Sequence, residues 1–379
     1  MATAPLLRAL VCAATAVVTV RGLLAVPGGG TAALRPRRRP VLLVASRSGR
    51  ASTGPATASV GDGPYGPLLS WLRGLPGAYV HPHLSLGADS PAGEGGGASL
   101  SGPVTAGEVL ALVPLAACPC AGGALDDAEL GPALRKIATA SGGGVGGGAG
   151  WVALAAHLAF RSLAEGGDEE FGPYLRTLPL GRPGAAGARP SQGHVLWWTD
   201  REVDAVLGCT DAHAEAVEIR AEVDLAVRVL RPIVRDALRK RCATWSPLDA
   251  LAGLFTRSTP AADASPPSDA DVDDAVRGSF VAVLSRGFED TAEDGERGVT
   301  MEPLVDMMQH GGKTANVRHG IRNGTAFAVE ALSDLGAGTE LLNSYSEDGG
   351  AGHFFVIYGF VPEGADDPSG VREAVLGAP

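Results

Sequence analysis

The sequence predicts an α+β fold with strand-like segments at both ends of the folded body and a mainly helical block between them. Three observations carry this. Residues 104–114 (VTAGEVLALVP) read as a turn entering a strand that a proline closes. Residues 124–284 carry mostly helical signals, and from Phe280 onward the pieces are strand-like again, at 280–284, 325–329 and 340–345. A helical block set between two β portions belongs to α+β rather than to alternating β/α architecture. GxGxxG spacings occur at 61–66 and inside the glycine tract at 142–147, but no strand-like segment leads into either, so the doubly wound class is unsupported.

The elements follow in order. Residues 67–74, with Leu68, Leu69, Trp71 and Leu72, form a short amphipathic helix. A glycine-rich run, GEGGGASL at 93–100, precedes the 104–114 strand. Within the helical block, residues 151–163 place Leu154, His157 and Leu158 at helical spacing, His157 as a core residue. Thr199 is an N-cap and Glu202 completes its capping box. Residues 214–241 form a long charged helix with apolar Val217, Leu225, Val229 and Val234, broken at Pro232. Glycine-, proline- and serine-rich stretches at 141–150, 181–193 and 258–274 read as flexible interruptions.

With 379 residues the chain is long enough for one large domain or two ordinary ones, and its 45% hydrophobic and 19% charged content suits a globular body with a core. The charge is uneven. Residues 1–61 hold eight arginines and no acidic residue; removing those eight charges from the net −11 leaves −19 on the rest. A body this acidic is a poor electrostatic fit to nucleic acid, whereas basic protein surfaces or tails are easier partners. The five cysteines form no Cys-x-x-Cys pair, and Cys118 and Cys120 stand too close for ordinary zinc spacing. No metal is expected, and the cysteines read as free thiols of a reducing compartment.

The arginine-rich beginning reads as an address. Residues 9–20 are twelve uncharged residues between Arg8 and Arg21, too short to span a bilayer but matching the apolar core of a signal peptide. RPRRR at 35–39 and SRSGR at 46–50 add transit-peptide composition. A signal-like piece followed by a transit-like piece points to a plastid bounded by extra membranes; the mitochondrion, or a tail without an address, are the alternatives. Residues 1–60 are set aside from the fold, and no membrane span is expected in the mature protein.

The chemistry gathers near the end of the chain. MEPLVDMMQH at 301–310 offers Asp306 and His310, TELLNSY at 339–345 is a short strand ending on Tyr345, and IYGFVP follows at 357–362. Two spaced tyrosines close to an Asp-x-x-x-His segment suggest a built site, with Tyr358 and Phe360 readable as core aromatics or as channel lining.

These segments complete an ordered set. Trp71 and Leu72; EGGG at 94–97 running through GEV at 107–109 to Val113 and Pro114; FGPYLRTLP at 171–179; LWWT at 196–199; SRGF at 285–288; LVDMMQH at 304–310; and NSY at 343–345 with YGFV at 358–361 appear in sequence over residues 68–362. Together they resemble the SET-domain lysine methyltransferases of the Rubisco large-subunit methyltransferase type, whose SET domain is split by a helical insert. After the presequence at 1–60 the resemblance implies SET portions at 61–120 and 280–365, a helical insert at 121–279 and a tail at 366–379, without the helical substrate-binding domain that usually follows. It implies S-adenosylmethionine as cofactor, with Glu94, Gly95, Gly96, Arg286, Asp306, Gln309, His310, Tyr345 and Phe360 around it. Tyr345 is then the catalytic tyrosine, and Tyr358 and Phe288 line the substrate channel. The implied activity is transfer of a methyl group to a lysine of a protein, with plastid enzymes such as the Rubisco large subunit or aldolase as substrates. A catalytically impaired SET-fold binding module and a histidine N-methyltransferase are the alternatives.

Methyl transfer from a sulfonium to an amine is an in-line displacement that needs a neutral amine and little acid-base machinery. Alignment and desolvation supply most of the acceleration. Four positions depart from the family pattern: Gln309 replaces an asparagine, Ala351 an asparagine, His353 a glutamate and Gly96 a larger residue. The extra methylene of Gln309 is expected to displace its amide from a tightly fitted contact.

Overall fold

The computed structural model describes residues 65–87, 96–140, 148–164, 170–182, 193–244, 267–289, 297–346 and 349–377. The presequence at 1–60, Glu94, Gly95 and most of the three expected interruptions lie outside them.

The first element is helix α1 (Gly66–Gly74), which buries Leu68, Leu69 and Leu72. Short strands β1 (Tyr79–Val80), β2 (Leu84–Gly87) and β3 (Gly97–Leu100) lead to β4 (Val109–Pro114). Helices α2 (Ala121–Asp126), α3 (Gly131–Ala140), α4 (Gly148–Leu163), α5 (Gly172–Leu175), α6 (Asp200–Leu207), α7 (Ala212–Thr244) and α8 (Asp269–Arg286) follow. The chain then returns to strands: β5 (Gly287–Phe288), β6 (Thr300–Met301), β7 (Gln309–His310), β8 (Val317–Arg322), β9 (Ala326–Ala331) and β10 (Leu342–Asn343). Helices α9 (Ala351–Tyr358) and α10 (Val371–Leu376) close the described chain.

The α+β reading stands. Strands from both halves share one antiparallel sheet in the order β1-β4-β9-β8. Its β8–β9 hairpin turns at Asn323 (φ 53°) and Gly324 (φ 65°), the residue types that accept the positive φ a type I′ turn needs at both central positions. The pair β7–β10 is parallel, and β2–β3 and β5–β6 are antiparallel. The segment entering β10 joins the two halves. Leu341 N–H bonds to the Ala98 carbonyl (2.8 Å) and Leu100 N–H to the Thr339 carbonyl (2.9 Å), before Gly311 N–H reaches the Asn343 carbonyl (2.7 Å).

Between these strands, α4 is apolar almost all round and buried accordingly, His157 included, as a core helix must be. Helix α8 packs against the same core so closely that a Cβ at Gly278 would collide with the Leu180 carbonyl. Thr199 and Glu202 cap α6 reciprocally, as expected.

Several local sequence expectations differ from the structure. The segment 280–284 is not a strand. Val281, Ala282 and Val283 are buried inside α8, and a continuous apolar run of this length does not distinguish a buried helix from a buried strand. That helix also runs through the expected 279/280 boundary, and residues 269–274, expected to be part of a flexible stretch, form its first turns under a Ser268–Asp271 capping box. Likewise, residues 148–150 already belong to α4.

Pro232 does not break α7, which is continuous over 33 residues. Its core face is Ile219, Val223, Ala226, Val227, Leu230, Val234, Ala237 and Leu238, whereas Val217 is exposed. Side-chain packing holds the helix through the one backbone bond a proline removes. A ladder of ion pairs ties it antiparallel to α8: Asp224 with Arg277 (2.6 Å), Arg231 with Asp273 and Arg235 with Asp269. No helix among the described residues is long and apolar enough to cross a membrane.

Candidate active site

The site lies where the parallel pair β7–β10 meets the end of α8. Pairing of Asn343 with His310 sets the register, and two residues later Tyr345 comes back over His310. The Tyr345 N–H donates to His310 Nδ1 (3.1 Å), so that nitrogen carries no proton. Burial lowers the His310 pKa, which favours the neutral ring. The Tyr345 hydroxyl donates to the Met308 carbonyl (2.7 Å).

Helix α9 adds further rings. It ends at Gly359, whose φ of 82° is a left-handed cap that costs glycine little, and the chain reverses there. Phe360 is thereby folded back onto Tyr358, Phe354 and His310, with ring centroids 6.2, 5.9 and 6.4 Å away. Tyr345 stands 5.2 Å from Tyr358 and 5.3 Å from His310. Burial pushes the Tyr358 hydroxyl up to about 12, so it stays protonated at neutral pH. Phe354, one helical turn before Tyr358, belongs to the same cluster, 4.8 Å from His310. The i, i+4 spacing of Phe354 and Tyr358 was the signal for it.

Arg286, the last residue of α8, closes the other side. Its Nη1 donates to the Asp306 carbonyl (3.2 Å) and lies 3.4 Å from Met307 Sδ and 3.5 Å from Asp306 Oδ2. The guanidinium side chain is 17% exposed and the Asp306 side chain 0%. The Asp306 carboxylate is thus shielded from solvent, where a cofactor contact had been expected. It is the buried counter-ion behind Arg286, and it also accepts a bond from the Tyr174 hydroxyl (2.9 Å). Burial pushes the Asp306 carboxyl up, against the opposing pull of Arg286 and Tyr174. Burial also works against the Arg286 charge, yet Asp306, helped by the nearby tyrosine oxygens of Tyr174, Tyr345 and Tyr65, raises its pKa further. Tyr174 comes from the FGPYLRTLP segment of the insert, where nothing in the sequence distinguished this hydroxyl from an ordinary core tyrosine.

Gln309 is buried, and its amide Nε2 donates to the Gly96 carbonyl (2.7 Å). The longer side chain thus joins the two halves of the site, where a lost contact had been expected. Beside it, a Cβ at Gly96 would overlap the Tyr65 hydroxyl and stand 2.8 Å from Tyr65 Cζ and 3.0 Å from Met307 Cε. Tyr65 is 6% exposed and the sequence reading missed it; the absent side chain at Gly96 was its only trace.

Phe288 does not join the rings around Tyr345 in the contacts seen. Its ring packs edge-on against His319 of β8, centroids 4.9 Å apart, and His319 in turn lies 3.1 Å from the buried Glu302. Strand β5 pairs Phe288 with Thr300 of β6.

The helical block fixes the back of α9. His194 is buried, receives the Leu196 N–H at Nδ1 (3.2 Å) and donates through Nε2 to the Ile357 carbonyl (3.1 Å), one residue before Tyr358. His353 bonds Glu215 of α7 (2.8 Å), which gives that departure a structural partner.

Chemically, the site offers one guanidinium, protonated phenols, an imidazole whose neutral form is favoured and stacked ring faces. Its nearest carboxylate is screened behind the arginine. That set suits a ligand with an anionic end and a planar or soft cationic portion, and it disfavours a second positive charge.

The sequence matches no protein-family model and no curated protein. The fold does match solved structures. The SET domain of LSMT bound to lysine and AdoHcy is 14% identical, with a TM-score of 0.50 over 78% of this chain and 56% of that one. The same domain bound to MeLysine and AdoHcy is 14% identical, with a TM-score of 0.52 over 79% and 57%. Rubisco LSMT bound to sinefungin and monomethyllysine is 15% identical, with a TM-score of 0.50 over 78% and 56%. The chain therefore has the SET-domain fold of the Rubisco LSMT type. It spans somewhat more than half the length of those structures.

Proposed function

We propose that the protein is an S-adenosylmethionine-dependent protein-lysine N-methyltransferase. The observation that carries this is the convergence of Arg286, Tyr345 and the His310–Phe360 ring cluster where the two halves of a SET fold meet. Solved structures of that fold hold AdoHcy together with lysine or methyllysine.

The residues present suit the cofactor. Arg286 matches a carboxylate as a planar two-pronged donor. Gly96 offers backbone without a side chain, and Gln309 fixes that backbone. The faces of His310, Phe360 and Tyr345 suit an adenine ring or a sulfonium. Glu94 and Gly95 complete the proposed set. The cofactor supplies an activated methyl group on sulfur.

This chain's residues supply the rest. Tyr345 positions the amine, and the aromatic walls around Tyr358 exclude water. Arg286 and the surrounding neutral groups disfavour an ammonium, so an entering lysine is driven toward its reactive neutral form. The substrate is a lysine-bearing protein, drawn by charge to this acidic body, and the arginine-rich beginning supports a plastid location with abundant plastid enzymes as targets.

Incubation with labelled S-adenosylmethionine and plastid extract tests the reading. We expect a protein to become labelled on lysine, and Tyr345→Phe to reduce labelling by about a hundredfold or more, the scale of losing a positioned hydroxyl. Labelling that Tyr345→Phe leaves unchanged removes Tyr345 from the mechanism. Label on histidine identifies the histidine N-methyltransferase. The second reading is an impaired binding module, motivated by the departures from the family pattern at Gln309 and Ala351. Calorimetry separates the two, since the module should not bind S-adenosylmethionine in the micromolar range.

A further inference from the structure

Gly96 has no side chain where the family pattern has a larger residue, and the space is filled from elsewhere. The Tyr65 hydroxyl stands where a Cβ would be, with Met307 Cε close beside it. Tyr65 precedes α1, makes no side-chain bond to cap that helix, and is buried. Its ring reaches the Gly96 backbone. Arg286 lies on the other side of Met307, its Nη1 3.4 Å from Met307 Sδ. Met307 is common to both groups, touching the Gly96 position through Cε and Arg286 through Sδ.

We propose that Tyr65 is a cofactor-binding residue: its phenol takes the place of the side chain missing at Gly96 and, with Arg286, seats the carboxylate of the cofactor's amino-acid portion. This rests on the proposed function and deepens it. A guanidinium and a neutral O–H that converge on one carboxylate give charge-assisted bonds that a guanidinium alone cannot complete. The arrangement also makes Gly96 and Tyr65 a coupled pair, because any side chain at 96 must displace the hydroxyl.

Two ligands separate this from a packing role. S-Adenosylhomocysteine carries the amino-acid carboxylate; methylthioadenosine shares the adenosine and sulfur but lacks it. In calorimetry on the full chain we expect Tyr65→Phe to weaken S-adenosylhomocysteine about tenfold, the scale of one bond to a charged group, and to leave methylthioadenosine unchanged. Gly96→Ala should give a similar selective loss, and adding Tyr65→Phe to it should cost little more, because both changes remove the same contact. Thermal melting checks that each variant folds. If wild type binds S-adenosylhomocysteine and Tyr65→Phe binds it equally well, or weakens both ligands alike, the assignment of Tyr65 is overturned while the proposed function stands. If wild type binds neither ligand, both are overturned.

Discussion

His194 makes folding stability depend on pH in a way that can be worked out in advance. Burial pushes its imidazole from the ordinary 6.5 down to about 4, against the favourable bond to the Ile357 carbonyl. The folded state thus takes up a proton less readily than the unfolded chain. The contribution is fully present above the unfolded pKa and is lost as pH falls through about 6.5 toward 4. Linkage over that interval gives a loss of about 2 kcal/mol near pH 5 and about 3 kcal/mol near pH 4. The perturbation is His194→Gln, whose amide can donate to the same carbonyl but does not titrate. Denaturant unfolding of both proteins near pH 8 and near pH 5 cancels every other titrating group when the two are subtracted. The variant should gain about 2 kcal/mol on wild type between the two conditions. A difference that does not move with pH would refute the argument, because it would mean that His194 titrates in the fold as it does in the unfolded chain, and a shift of opposite sign would mean that it is held protonated.

Two further outcomes follow from the same structure. Tyr174→Phe removes the hydroxyl that donates to the buried Asp306 and should cost about 1–3 kcal/mol in chemical denaturation, the range for a buried group left without a bond. Glu222 lies buried in α7, where burial and then the neighbouring Glu218 push its carboxyl up to about 7. A raised carboxylate contributes stability below its unfolded pKa that is lost as pH rises to about 7, so Glu222→Gln should stabilise by up to about 3 kcal/mol near pH 8 and by nothing near pH 4. An equal effect at both values would place that carboxylate in water.

Part of the site was legible because it is local in sequence. Tyr358 and Phe360 flank a left-handed glycine that folds one ring onto the other, whereas His310 and Tyr345, 35 residues apart, meet through the parallel pairing of β7 with β10. Arg286 stood out only through the resemblance of SRGF at 285–288 to the family segment. Less local features were not legible. The run ending at Leu284 could equally be strand or helix, since continuous burial erases the periodicity that separates them. Pro232 signalled a break, but the apolar face of α7 on both sides of it is worth more than one backbone bond.

Composition and pattern by themselves determined the α+β class and the split of the β portion by a helical block. These depend on which residues are apolar and in what order, which the sequence states directly. Tertiary structure alone decided what each polar group faces. It turned Asp306 from a ligand contact into the buried partner of Arg286, sent Phe288 toward His319, gave Gln309 the Gly96 carbonyl and set Tyr65 in the space Gly96 leaves. The physical reason is that a charge or hydroxyl acts over a few ångströms, and such distances between residues far apart in the chain exist only after the two halves have closed on one another.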